Sequence, residues 1–269
     1  RGPAGGFAME WLEVNVVTFQ YFILVFARIA SMVALSPVIG SGSVPPTFKM
    51  GFSFLLSIII FPIVSRHFPP VPQEMVLYWI LVLREVMVGV LIGIIGNLMF
   101  SSIQLAGQMF GIQVGFGIVN VIDPMTDEHI SILGQFLFLV GILLFLGLNM
   151  HHYLIGIIAS SYDYTPLGSF TFTEPLGMEV VGWLSKSFVI AFKIGMPIIF
   201  VLLMVTMALG IVARTVPQMN VFIVGLPIQI SIGLWVMGMS IGLIAYLLKG
   251  YFVTMMQDMA MLLRMAGMT

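Results

Sequence analysis

The chain has 269 residues, 60% of them hydrophobic and only 8% charged, with a formal net charge of −1 and no cysteine. Soluble domains carry about 25% charged residues, so this composition cannot cover a globule with polar surface, and the chain reads as an integral membrane protein. The near-neutral charge excludes a basic nucleic-acid footprint, and the lack of cysteine excludes disulfides, thiol chemistry and Cys-bound metals.

Arg1 to Ala8 reads as an extension or remnant ahead of Met9, which leaves 9–269 as one domain. Glu10 and Glu13 precede the first apolar run where a signal peptide would carry basic residues, so that run is expected to stay in the mature protein. Val14–Ser36 is the first predicted span, long enough for about 30 Å of hydrocarbon, carrying Gln20 and Arg28 and stopped by Pro37. Gly51–Ser65 is shorter and runs into Arg66, His67 and a proline-rich stretch. Val76–Met99 is the third span. It holds Arg84, Glu85 and a GxxxG pair at Gly89 and Gly93, a spacing that lets two helix backbones approach closely.

No break separates that span from Asn97–Pro124 (NLMFSSIQLAGQMFGIQVGFGIVNVIDP), so 86–122 is an uncharged run too long for one simple crossing. Gly107, Gly111, Gly115 and Gly117 thin this stretch out, and Gln104, Gln108 and Gln113 place amides among its apolar residues. It should be buried and able to bend, and its amides need partners or water. A pore constriction and a close-packed helix junction both meet those conditions.

Ile130–Met150 is the fourth predicted span, followed by a mixed region to Glu179 with turn signals at Tyr162, Asp163, Tyr164, Pro166 and Pro175. Leu184–Val212 is the fifth, with Lys186 and Lys193 on roughly one helix face. Arg214–Asn220 (RTVPQMN) is a polar break centred on Pro217. Val221–Leu248 is the sixth, interrupted at Pro227 and carrying a second GxxxG at Gly238 and Gly242, and Lys249–Thr269 is an amphipathic tail. The result is an all-α membrane protein of six hydrophobic segments forming helical hairpins. Basic residues fall on both sides of these segments, so the positive-inside signal is weak.

Arg28, Arg84, Glu85 and Lys193 lie within apolar runs, where a lone charge costs roughly 2.5–3.5 kcal/mol on insertion scales. An ion pathway and ion pairs between packed helices are both open. Pairing, for instance Arg28 with Glu85, is favoured because proton relays rest on chains of carboxylates and Glu85 is alone mid-span. Arg214, Gln218 and Asn220 can hydrogen-bond carbonyls freed near Pro217. His151 and His152 point about 100° apart on a helix with no third ligand of matching spacing, so no metal is expected. With no phosphate loop, no HExxH and no nucleophile motif, neither an enzyme nor a cofactor is expected.

Three segments carry a resemblance. ARTVPQMNVFIVGLPIQI (213–230) resembles the C-terminal signature of the FliR family, the flagellar biosynthetic proteins of the type III export gate. GQMFGIQVGFGIVNVIDP (107–124) is similar to that family's glycine-rich central segment, and HHYLIGIIASSYDYTPLG (151–168) to the region after its fourth hydrophobic segment. The resemblance implies a bacterial inner-membrane protein of the flagellar basal body. It would pack with FliP- and FliQ-type subunits into a helical multi-subunit channel, beside FlhB- and FlhA-type partners, and pass unfolded export substrates. It also implies that the central loop plugs the channel. On this chain that loop is Gln108, Met109, Phe110, Gly111, Ile112, Val114, Gly115, Phe116 and Gly117. The injectisome homologue shares the layout. Two other classes stand beside the export gate: a secondary transporter, and a scaffold in which Gly107, Gly111 and Gly115 form only a packing stripe.

Overall fold

Long apolar runs with few internal breakers should fold as long helices, because in a bilayer every backbone polar group must be satisfied within its own segment. The computed structural model describes residues 4–42, 44–64, 70, 72, 74–116, 131–218 and 220–267, with side chains from residue 16 onward except at 221 and 222. Among the described residues every regular element is a helix: α1 Ala4–Leu35, α2 Pro46–Val64, α3 Met75–Val114, α4 Ile132–Gly147, α5 Met150–Tyr164, α6 Glu174–Thr215 and α7 Val221–Gly267. Five are long and apolar enough to cross a membrane, and a sixth span results if α4 and α5 count as one.

The ends of these helices follow local chemistry. Helix α1 stops two residues before Pro37, whose ring disfavours a helical residue ahead of it. Ser131 caps α4, its hydroxyl accepting from the Gly134 amide at 3.4 Å. Between α4 and α5, Asn149 sits at φ 56 in the left-handed region that asparagine tolerates.

Three expectations change. The mixed region after Met150 is helical through Tyr164, because its polar Ser and Asp side chains lie along one helix and do not interrupt it. Pro227 does not break the last span. It sits inside α7 on an exposed face, where the one backbone bond it forfeits leaves the helix continuous. The tail after Lys249 is the continuation of the same 47-residue helix.

By internal contacts the chain divides into two compact units: residues 1–97 with 151–181 and 255–269, and residues 98–150 with 182–254. In the first, Gly89 of α3 lies against the Arg28 carbonyl and the Ser31 hydroxyl of α1, and a Cβ at Gly93 would stand 2.6 Å from Leu35 Cβ. The GxxxG pair therefore works as a close crossing of α1 and α3. The second pair, Gly238 and Gly242, has open space beside it. In the second unit Phe100, Phe145 and Phe252 form an aromatic core with centroids 5.4–5.7 Å apart.

Candidate functional site

The glycine-rich stretch is helix through Val114, where a bendable loop was expected. Its glycines serve close approach. A Cβ at Gly107 would fall on the backbone of Gly134 in α4, with the Gly134 nitrogen at 2.7 Å, and one at Gly111 would lie 2.6 Å from Ser131 Oγ. The stems of Gln104 and Gln108 lie over Gly134. On another side, Val114 Cγ2 stands 2.6 Å from where a Cβ of Gly233 in α7 would be.

The helix ends at Gly115 for a stereochemical reason. Gly115 has φ +106; its amide donates to the Ile112 carbonyl at 3.2 Å, and the Phe116 amide to the Gly111 carbonyl at 3.1 Å. This pair of bonds is the Schellman ending, which satisfies two otherwise orphaned carbonyls and requires a residue free to take positive φ.

This packing sorts the expected plug side chains. Phe110 and Val114 are fully buried. Gly111 is consumed by the α4 crossing. Ile112 is 68% exposed, while Gln108, Met109 and Phe116 are half-buried. Gly117 lies outside the described residues. Gln113 Oε1 is buried and has no hydrogen-bond partner among the described residues.

In the other unit the α1–α3 crossing brings Arg28 to Glu85, one turn before Gly89. Arg28 Nε donates to Glu85 Oε2 at 2.7 Å, and both side chains are wholly inaccessible. The other guanidinium nitrogens donate to Ser161 Oγ at 2.9 Å and to the Thr165 carbonyl at 3.0 Å, and the guanidinium carbon lies 4.0 Å over the Tyr162 ring. Glu85 Oε1 accepts from the Gly168 amide at 2.8 Å, and Thr165 Oγ1 donates to the Leu263 carbonyl at 2.6 Å. One ion pair thus ties α1, α3, α5 and the following turn together, and the Thr165 hydroxyl brings in the end of α7. Ser161 and Thr165 carry no sequence motif that singles them out, and Tyr162 reads there only as a turn signal within the mixed region to Glu179. The signal available was the i, i+4 spacing of Ser161 and Thr165, which places both toward one helix face.

The other polar residues expected to be buried are exposed. Arg84, next in sequence to Glu85, is turned about 100° away and donates to the Gly168 carbonyl at 2.6 Å. Lys193 lies on the open face of α6. Arg214 is exposed in the last turn of α6, and Gln218 and Asn220 are exposed in the α6–α7 turn, where Asn220 caps α7 by accepting from the Ile223 amide.

Residues 19–255 match the family described as bacterial export proteins, family 1. The chain is 34% identical over 255 residues to a protein of Bacillus subtilis (strain 168) named flagellar biosynthetic protein FliR, covering 93% of this chain and 97% of that one. The chain belongs to the FliR family of bacterial export proteins. Family members of the same name from Aquifex aeolicus (strain VF5) and Escherichia coli (strain K12) are 32% and 26% identical, over 89% and 81% of this chain and 93% and 83% of theirs. The family match covers both the Arg28–Glu85 crossing and the glycine stretch at the end of α3.

Proposed function

We propose that this chain, a component of flagellar type III protein export, is a non-enzymatic subunit of the channel through which unfolded substrates pass. It would assemble in the bacterial inner membrane with FliP- and FliQ-type subunits, beside FlhB- and FlhA-type partners. Family membership supports the export role. A feature of α6 supports protein partners. Exposed apolar side chains recur at near-helical spacing from Met178 and Val181 through Phe188, Met196 and Phe200 to Ile211. That stripe is about 50 Å long at about 1.5 Å per residue, whereas the hydrocarbon core is about 30 Å thick. Its length beyond what lipid can cover supports protein partners along this helix.

Residues 108–117 are proposed to close the channel, with the roles divided by their packing. Phe110 and Val114 hold the end of α3 in place. Met109, Ile112 and Phe116 are the side chains left uncovered to meet a gap. The observation that carries this is the Gly115 ending, which fixes the end of the helix at a defined residue. The test replaces Met109, Ile112 and Phe116 together with glycine in the assembled complex and measures small-solute leak across reconstituted membranes. A raised leak with assembly intact is expected. An unchanged leak with assembly intact removes the plug role.

A further inference from the structure

We infer that Gln104 and Gln108 form a clamp for the side-chain amide of a helix from a neighbouring subunit. In the second unit, α3 and α6 flank a cavity of about 290 Å³, with Gln104, Leu105 and Gln108 on one wall and Leu184, Ser187 and Phe188 on the other. The two glutamines stand one turn apart on α3, and their stems lie against Gly134 of α4. Both residues are half-buried, yet neither amide has a hydrogen-bond partner among the described residues. Two serines of the cavity differ in this respect. Ser102 donates to the Met99 carbonyl at 2.6 Å and Ser187 to the Leu184 carbonyl at 2.7 Å, so each hydroxyl is satisfied by its own helix.

Depth, charge and hydrogen bonding select the occupant. Residues 194–213 of α6 are uncharged and already extend about 30 Å, the thickness of the hydrocarbon core. Leu184 and Phe188 lie about 9–15 Å before that run, beyond the reach of acyl chains. They are 49% and 52% exposed, so a protein surface is what can cover them. None of the lining residues is charged, and a carboxylate or ammonium entering the cavity would be buried without a counter-ion. The entering group is therefore neutral. A serine or threonine on the incoming helix bonds to its own carbonyls, as Ser102 and Ser187 do, whereas a side-chain amide has no such outlet. An asparagine or glutamine carries both donors and an acceptor, and so do the two amides that wait for it. The clamp is also continuous with the exposed apolar stripe of α6, which runs through Phe188. The inference rests on the subunit reading proposed above and is independent of the closing role of Met109, Ile112 and Phe116.

The test is made on the assembled complex in mild detergent. Gln104→Met/Gln108→Met keeps the unbranched stems on Gly134 and removes only the amides. One hydrogen bond is worth about fivefold in an equilibrium constant, so the pair should weaken retention of the neighbouring subunit by about thirtyfold, with the helical content of the chain unchanged. Benzoylphenylalanine in place of the exposed Leu184 should, on irradiation, join α6 to a helix of another subunit within one turn of an asparagine or glutamine. Replacing that residue with leucine should cost nothing further in the methionine background. Undiminished retention of the subunit by the methionine pair overturns the inference and leaves the subunit reading in place. An adduct with lipid, with a second copy of this chain or with an exported polypeptide does the same. A chain that purifies with no other subunit removes both the inference and that reading.

Discussion

Glu85→Ala should be among the most damaging single substitutions in this chain. It leaves the Arg28 guanidinium wholly buried without its counter-ion, and it strips the Gly168 amide of its acceptor. Removing one partner of a buried pair costs about 3–5 kcal/mol, because the remaining charge stays desolvated. Arg28→Met in the same background removes that charge, so the double variant should recover roughly 2 kcal/mol. Recovery is incomplete because the Thr165 carbonyl and the Gly168 amide lose their partners, at about 1–3 kcal/mol for each group left unsatisfied. The geometry also shows why exchanging the two charges is the poorer test. A carboxylate at position 28 would face the Thr165 carbonyl, acceptor against acceptor. The assay is a double-mutant cycle of unfolding free energy in mild detergent, for Glu85→Ala, Arg28→Met and the pair. A coupling below about 1 kcal/mol would show that the pair does not act as a unit and would refute this reasoning.

Gly107→Leu should prevent the α3–α4 crossing altogether, read as loss of folded protein in detergent, since its first side-chain carbon already meets the Gly134 backbone. Gly111→Ala is milder. Its methyl must displace Ser131 Oγ, weakening the α4 cap, so a loss of about 1 kcal/mol in unfolding free energy is expected. Gly115→Ala should cost about 1–2 kcal/mol by forcing an alanine into positive φ, seen as faster exchange of the amides at positions 115 and 116. Pro227→Ala should slow exchange in the first turns of α7 by restoring the missing i→i−4 bond.

The spans themselves were legible because uncharged runs bounded by Pro37 and Pro217 leave the backbone little alternative to helix. The Arg28–Glu85 pair was legible from charge alone. Two charges of opposite sign inside apolar runs have few ways to avoid an isolated, costly burial. The three exposed cations and the turn residues were misplaced for a simple reason. Sequence gives their depth along the run but not their phase around the helix, and Arg84 and Glu85 differ only in phase. The α5 helix was hidden because Tyr162, Asp163 and Tyr164 read as turn chemistry, while the contacts that hold the segment are tertiary: Ser161 and Thr165 bound to Arg28.

The glycines after Asn97 carry the sharper lesson, because one residue type serves two purposes within ten residues. Gly107 and Gly111 are there so that Gly134 and Ser131 can come close, and the identity of those partners is not local information. Gly115 is there for its φ. A bulkier residue at Gly111 would therefore disturb packing whether or not the segment closes a channel, so Gly111→Leu cannot separate a scaffold from a plug. Ile112 can, since it contributes little to the packing of its own unit and is 68% exposed. In the assembled complex Ile112→Gly should leave subunit association intact and raise solute leak. If it weakens association by as much as Gly111→Leu and leaves the membrane sealed, the end of α3 is an interface between subunits and the closing element lies elsewhere.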